Sequence, residues 1–197
     1  MFSYFRSMRT RDEQKVENIY NAAITLVNRD GFESASMSKI AKAANVSPAT
    51  IYIYFDNKKD LLVKTYLKVK KEIASNVLTG IDVNQSVEKA FRSIWFNYYN
   101  SITAKTDYFN FAEQFANSPI INSVNNKEID AYYELLISLF ARGQQEGIIK
   151  NVHREILFTY GFFPMFTLLK MSKIEKFDLS DKNIDDAFQA AWDAIRA

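Results

Sequence analysis

Apolar side chains recur every three or four positions along most of the chain, and no sustained strand-like alternation of apolar and polar residues is found. The stripe that contains Ile19, Ala23 and Val27 ends at Gly31, a residue suited to the left-handed conformation that closes many helices. The pattern predicts an all-α fold of about nine helices. They cover residues 12–30, 38–44, 48–55, 58–78, 83–103, 108–116, 127–146, 154–172 and 181–195.

Two short helices follow the first one and are joined by a tight turn at residues 45–47. Ser36 or Ser38 can cap the first short helix, and Ser47 can cap the second, which has Pro48 in its first turn. Apolar residues at the spacing of packed helix faces turn inward: Ile40, Ala44, Val46, Ile51 and Phe55. The second short helix therefore turns its other side outward: Pro48, Ala49, Tyr52 and Ile53.

The charge is distributed unevenly along the chain. Residues 1–71 carry 13 Lys or Arg and 7 Asp or Glu, whereas residues 72–197 carry 12 and 16. A basic N-terminal part and an acidic remainder indicate that the N-terminal part meets a polyanion.

Residues 36–62 read SMSKIAKAANVSPATIYIYFDNKKDLL, and this segment resembles the DNA-binding signature of the tetracycline-repressor (TetR) family. The matching residues are Ile40, Ala41, Ala44, Val46, Ser47, Thr50, Ile51, Tyr52, Tyr54, Phe55, Lys58, Leu61 and Leu62. The chain departs from the family pattern at Ala49, where glycine is common, and at Lys59, where an acidic residue is common. The number and length of the predicted helices extend the resemblance to the rest of the chain.

The resemblance implies a helix-turn-helix in which residues 47–55 form the recognition helix and residues 38–44 its positioning partner. It implies phosphate contacts by Ser36, Ser38, Tyr52, Tyr54 and Lys58. Lys39 and Lys42 are further candidates, while Ser47 starts the recognition helix. Base readout falls to Pro48, Ala49, Thr50 and Ile53, which lack the amide and guanidinium groups that pair with adenine and guanine. We therefore predict a site read partly through thymine methyl groups and DNA shape.

Two alternatives remain open in the N-terminal part. Tyr52 and Tyr54 have the spacing of core aromatics in a small helical bundle as well as that of DNA contacts. The arginines at positions 6, 9 and 11 suit an arm in the minor groove, or equally a solvated terminus.

Aromatic residues are frequent in the C-terminal part of the chain, where the resemblance implies a ligand pocket within the fifth to seventh helices. Candidate pocket residues are Trp95, Tyr98, Tyr99, Phe109, Glu113, Tyr133 and Phe162. Aromatic walls suit a flat or apolar molecule, and Glu113 can pair with a cationic one. For each aromatic residue ordinary core packing is the alternative, and for Glu113 the alternative is a solvent-exposed helix face.

The resemblance also implies a homodimer formed by the last two helices of each chain as a four-helix bundle. Its predicted interface residues are Leu157, Phe166, Leu169, Phe188, Trp192 and Ile195. The implied division is a DNA-binding domain (1–57), a connecting helix (58–80) and a ligand-binding and dimerisation domain (81–197). The implied activity is that of a repressor that an unknown small molecule releases from a palindromic DNA operator. A ligand-independent adaptor and an activator are the alternatives within this fold, and an α-helical enzyme is the alternative outside DNA binding.

Candidate chemistry outside DNA binding is sparse. The chain has no cysteine and one histidine, His153, which excludes metal sites built from several Cys or His but leaves an all-carboxylate cluster open. Neither a nucleophile motif nor a glycine-rich phosphate loop is present, so we predict no catalytic residue, no cofactor and no metal site. The most apolar stretch, residues 156–171, is shorter than the roughly 20 residues of a membrane span. We expect a soluble cytoplasmic protein.

Overall fold

The structure, a computed structural model, describes residues 2–174 and 177–197, with side chains from residue 12 onward. Within these residues the fold is all-α, as predicted, with ten α-helices, a short 3₁₀-helix at Pro119–Ser123 and no strand. The helices are α1 (Phe2–Ser34), α2 (Met37–Ala43), α3 (Pro48–Tyr54), α4 (Lys58–Val77), α5 (Val87–Ala104), α6 (Thr106–Ala116), α7 (Asn126–Tyr132), α8 (Glu134–Gln145), α9 (Arg154–Ile174) and α10 (Asp181–Ile195).

Helix α1 begins ten residues before its predicted start. The side chains of the predicted arm, Arg6, Arg9 and Arg11, lie outside the described residues. Gly31 takes the expected left-handed φ of 77° and interrupts α1 where the sequence predicts its end.

The single helix predicted over residues 127–146 is two helices, α7 and α8, which meet at Tyr133. No glycine or proline marks this break in the sequence. Gly143 lies inside α8. A Cβ atom there would lie 2.7 Å from the Ile149 Cδ1 atom, so this glycine permits close packing against residue 149.

The chain divides into two compact units. Unit 1 contains the chain up to Lys70 together with residues 107–125, and unit 2 contains residues 71–106 and 126–197. In unit 1, Phe115 of α6 packs against Phe32 of α1 and stacks on Tyr66 of α4, with ring centroids 5.8 and 4.3 Å apart. Helix α6 is therefore part of the core of unit 1.

The core of unit 2 is built around Phe91 of α5. Its ring lies 5.4 to 6.4 Å from four aromatic rings of α8, α9 and α10: Phe140, Phe162, Phe188 and Trp192. The end of α10 is fixed to the α8–α9 loop by backbone hydrogen bonds from Lys150 to Ile195 and from Ala197 to Ile148, both 2.9 Å. Among the described helices, none combines the length and apolar character that crossing a bilayer requires.

Candidate DNA-binding interface and effector site

Both short helices of unit 1 begin with a serine cap. Ser36 Oγ accepts a hydrogen bond from the Lys39 amide, and Ser47 Oγ accepts one from the Thr50 amide at 3.0 Å. Asn45 adopts a left-handed φ of 54° in the turn between the helices. The caps satisfy backbone donors that would otherwise have no partner, so the local sequence alone starts and ends these helices.

The inner side of α3 fixes the direction in which the helix faces. Ile51 and Phe55 are buried, together with Ile40 of α2, and Phe55 meets the Tyr20 ring of α1 edge to face at 5.5 Å. The opposite side of α3 is consequently left without protein contacts that bury it.

This outer side presents Tyr52 and Ile53, which are 57% and 74% exposed, next to the exposed Pro48 and Ala49. An isoleucine that is three-quarters exposed on a helix with a well-packed inner side has nothing to cover it within unit 1. The side of α3 that the sequence predicts to face outward is therefore exposed in the structure. Exposed Ser38, Lys39 and Lys42 of α2 add hydroxyl and positive groups.

Three predicted contact residues are held more closely by the protein than the sequence implied. The Thr50 hydroxyl lies 2.8 Å from Ser47 Oγ. The Tyr54 phenol donates to Asp12, and partial burial followed by this carboxylate raises the pKa of Tyr54.

The third, Lys58, is half-buried at the start of α4, and its ammonium donates to the Glu33 carbonyl at 3.4 Å. This is a long and weak bond, so the ammonium can turn to a phosphate with little loss. The partners of Lys58 and of Tyr54 lie on α1, a connection that has no local signal in the sequence.

The predicted effector residues separate between the two units. Phe109 and Glu113 lie on α6 in unit 1, where Phe109 is buried and Glu113 is exposed to solvent. The hypothesis of a carboxylate enclosed by rings does not hold for Glu113, because α6 turns that position outward.

Tyr98, Tyr133 and Phe162 come together in unit 2. The Tyr98 ring meets Phe162 edge to face at 5.4 Å, and the Tyr133 ring meets Phe158 at 6.4 Å. Burial raises the pKa of both phenols, and Tyr133 adds to this effect at Tyr98. Sequence reasoning did not name Phe158 among the candidate residues, although it lies four positions before Phe162 on the same helix face.

The two remaining candidates on α5 are placed differently. Tyr99 is half-buried, whereas Trp95 is enclosed by protein and packs against Phe96 and Phe188. Within the described residues, the Trp95 Nε1 atom has no hydrogen-bond acceptor. Because this atom also has no accessible surface, Trp95 is a core residue in this conformation.

Unit 2 also has an open pocket of about 450 Å³ between α5, α8 and the segment that precedes α5. Its lining is mostly aliphatic with three polar residues, Glu134, Ser138 and Arg142. The Arg142 guanidinium donates to the carbonyls of Val83 and Gln85. These bonds tie the arginine to the preceding segment.

Five of the six predicted dimer residues lie inside the protomer. They are Leu157, Leu169, Phe188, Trp192 and Ile195, all of them buried. A side chain enclosed by its own protomer has no further apolar area to bury against a second chain, so these residues form the core. Phe166, the sixth, is half-buried.

Helix α9 exposes a different apolar stripe. Its members recur at three- or four-residue steps, apart from one position occupied by Thr167: Ile156, Tyr160, Phe163, Met171 and Ile174. Phe163 alone is 61% exposed. This exposed stripe could have been predicted from the sequence, because α9 has apolar residues on two sides. When one apolar side of a helix packs into its own protomer, the other needs a second partner to cover it.

Comparison with known proteins agrees with the geometry of the two short helices. Residues 19–65 match the family model described as bacterial regulatory proteins of the tetR family, and residues 86–196 match the tetracyclin repressor-like C-terminal domain. The chain belongs to the TetR family. As a TetR-family protein it is a helix-turn-helix transcriptional regulator.

Some relatives of this regulator match it over most of its length. A helix-turn-helix transcriptional regulator of Haemophilus influenzae is 24% identical over 189 residues, which cover 96% of this chain and all of the relative. The crystal structure of a TetR-family regulator from Marinobacter aquaeolei is 29% identical, with a TM-score of 0.87 over 95% of this chain and 98% of that one. A nicotine-responsive transcriptional repressor of Paenarthrobacter nicotinovorans is 24% identical over 76% of this chain and 81% of its own.

Proposed function

We propose that this TetR-family regulator is a dimeric repressor that leaves its DNA operator when a small molecule binds in unit 2. The observation that carries the DNA-binding part is the outer side of α3, where Tyr52 and Ile53 are exposed while Ile51 and Phe55 are buried. A helix of this size fits the major groove of B-DNA, which is about 12 Å wide.

The candidate contact groups divide into two kinds of DNA contact. Hydroxyls and ammonium groups contact phosphates without reading sequence: Ser36, Ser38, Lys39, Tyr52, Tyr54 and Lys58. Side chains of α3 read base edges: Pro48, Ala49, Thr50 and Ile53. Because Ile53 is apolar and 74% exposed, we expect it to contact a thymine methyl group.

The dimer surface is the exposed stripe of α9, Ile156 to Ile174, in place of the buried residues first predicted. A second copy of the chain supplies the same stripe, and a two-fold axis pairs equal surfaces. A dimer also presents two α3 helices to half-sites about 34–36 Å apart, which a single short helix cannot do.

Helix α4 is the structural link for effector control, because its first part belongs to unit 1 and its last part to unit 2. In unit 2, Glu72 of α4 forms a 2.6 Å ion pair with Lys105 at the end of α5. A molecule that displaces α5 therefore moves α4. By linkage, DNA weakens effector binding by the same factor as effector weakens DNA binding.

The experiment that tests DNA recognition is selection from a random duplex pool with the full-length protein. We expect a palindrome with half-sites one helical turn apart. Ile53→Ala is expected to relax the preference at one base pair of each half-site. Lys39→Ala is expected to weaken binding to all sequences and to reduce the salt slope by about one unit.

Val83→Ala serves as the matched control, because Val83 is an exposed apolar residue of unit 2. It is expected to leave the selected sequence and the affinity unchanged. Failure to enrich any sequence, with weak binding at both low and high salt, would remove the basis for the repressor proposal.

A further inference from the structure

One carboxylate of α1 contacts the end of α3. The phenol of Tyr54, the last residue of α3, donates a hydrogen bond to Asp12. The Lys15 ammonium lies 3.0 Å from an oxygen of the same carboxylate. The Asp12 side chain is 45% exposed, so the carboxylate is open to solvent. An anion and two donors therefore meet at the surface of unit 1, directly after the exposed Tyr52 and Ile53 of α3.

The packing of α3 holds the Tyr54 side chain at this carboxylate. Phe55, the next residue, is buried and meets the Tyr20 ring of α1 edge to face at 5.5 Å. The backbone carbonyl of Tyr54 accepts a long hydrogen bond of 3.5 Å from Lys64 of α4. Because the backbone around Tyr54 is fixed to both α1 and α4, the fold itself brings the phenol to Asp12.

The Tyr54 phenol has one hydrogen to donate, and Tyr54 is among the groups proposed to contact a DNA phosphate. The Asp12 carboxylate and a phosphate oxygen are both anionic acceptors, so they compete for that single hydrogen. Two anions held at one hydroxyl also repel each other, which favours exchange of one for the other. A phosphate that binds the phenol therefore takes the place of Asp12.

Asp12 keeps a partner when it loses the phenol. Lys15 lies one helical turn further along α1, and its ion pair with Asp12 does not depend on Tyr54. The carboxylate is also exposed enough to regain water at the position that the phenol leaves. The exchange leaves no bare buried charge, so its cost is that of one charge-assisted hydrogen bond.

We propose that Asp12 restrains DNA binding, because its carboxylate occupies the Tyr54 phenol in the free protein as an internal substitute for a DNA phosphate. DNA must displace the carboxylate from the phenol, while the ion pair between Asp12 and Lys15 remains. Asp12 thereby lowers the affinity for every DNA sequence to the same extent, since phosphate contacts carry no sequence information. This inference rests on the proposed phosphate contact of Tyr54 and adds a residue that limits its strength.

Asp12→Asn tests the proposal, because the amide keeps an oxygen that accepts from the phenol but removes the charge. A hydrogen bond to a neutral acceptor is about half as strong as one to an ionised acceptor. We expect the full-length variant to bind DNA about fivefold to tenfold more tightly than the wild type. Fluorescence anisotropy measures this affinity on two duplexes, the palindrome selected from the random pool and one of alternating adenine and thymine. The gain should be equal on both.

Asp56→Asn is the matched control, because it removes the same charge from an exposed position two residues after Tyr54. Among the described residues, the Asp56 side chain has no hydrogen bond to Tyr54 or Lys15. Its effect on affinity is expected to be about twofold or less, since exposed charges are screened by salt. In a Tyr54→Phe background, which lacks the hydroxyl, Asp12→Asn should change the affinity no more than this control does.

A gain from Asp12→Asn that is no larger than the gain from Asp56→Asn overturns the proposal, and so does a gain that survives in the Tyr54→Phe background. Weaker binding by Asp12→Asn, or a gain on only one of the two duplexes, also overturns it, because Asp12 would then position α3 for base readout. The alternating duplex requires no selected site, so a failed selection contradicts the repressor proposal and leaves this test in place. A selected palindrome without an effect of Asp12 leaves operator recognition standing.

Discussion

The Tyr66 ring of α4 stacks on the Phe115 ring of α6, with centroids 4.3 Å apart and planes inclined by 12°. Both rings are buried, and Phe115 also packs against Phe32 and Phe111. Helix α6 is thereby fixed to the connecting helix within unit 1. A motion of α4 in this unit carries α6 with it.

Replacing Phe115 removes this connection. We expect Phe115→Ala to lower the free energy of unfolding by about 3–5 kcal/mol, the range for buried phenylalanines. Phe115→Leu keeps most of the apolar volume and is expected to cost about 1.5 kcal/mol or less. Urea unfolding followed by circular dichroism measures both. A loss below about 1 kcal/mol for the alanine variant would contradict the packing described for α6.

Two substitutions at Ser47 distinguish its effect on stability from its effect on DNA affinity. Ser47→Ala removes the acceptor of the Thr50 amide and is expected to cost about 1 kcal/mol of stability. Ser47→Asp keeps a capping oxygen but adds a negative charge at the surface proposed to face the DNA phosphates. We expect near wild-type thermal stability for the aspartate variant and at least tenfold weaker operator binding, measured by gel shift. If Ser47→Asp and the wild type bound the operator with equal affinity, the N-terminal end of α3 would not lie against DNA.

The stripe of α9 predicts the oligomeric state. Phe163→Glu puts a charge in the middle of the exposed apolar surface, and we expect the protein to sediment as a monomer at concentrations where the wild type is a dimer. Gln145→Glu introduces the same charge at an exposed position of α8 and should leave the dimer intact. A dimer that withstands Phe163→Glu would assign the interface to another surface.

Two glycines in unit 2 predict opposite effects of one added methyl group. A Cβ atom at Gly143 would lie 2.7 and 2.8 Å from side-chain atoms of Ile149, so Gly143→Ala is expected to cost about 1–3 kcal/mol. At Gly161 in α9 the nearest atom of Phe91 is 3.4 Å away, an ordinary contact. Gly161→Ala is expected to be neutral or to stabilise by up to about 1 kcal/mol through helix propensity. Thermal unfolding of the two variants compares them directly, and destabilisation of both to the same extent would contradict the difference in packing.

Alkaline pH is expected to destabilise unit 2 through its buried phenols. The pKa of Tyr98 and Tyr133 is raised above the ordinary value of 10.0, so above pH 10 the unfolded chain releases protons that the folded chain keeps. The free energy of unfolding therefore falls as pH rises from 10 toward the folded-state pKa values, and the contribution is fully present below pH 10. When measured by chemical unfolding, the free energy of unfolding of the Tyr98→Phe, Tyr133→Phe double variant should fall less steeply with pH than that of the wild type. An identical pH dependence of the wild type and the double variant would show that the pKa of these two phenols is not raised in the folded protein.

The helix-turn-helix was predictable from sequence because its determinants are local. Ser36 and Ser47 cap helices a few residues away, and the spacing of Ile51 and Phe55 is enough to leave Tyr52 and Ile53 on the outer side. The contacts of Tyr54 with Asp12 and of Lys58 with Glu33 depend on how α1 packs, so no pattern within residues 36–62 indicated them.

The effector and dimer predictions depended on contacts between distant segments, and there the sequence was less informative. Aromatic frequency indicated a cluster, but only the packing of α5 and α8 on α9 joined Tyr98 and Tyr133 and turned Glu113 outward on α6. Sequence by itself determined the all-α fold, the helix-turn-helix and the outer side of α3, because caps and periodicity act within a few residues. Only the tertiary structure decided which apolar side of α9 is core and which is exposed, because both sides have helical spacing and the packing of α5 and α10 selects one of them.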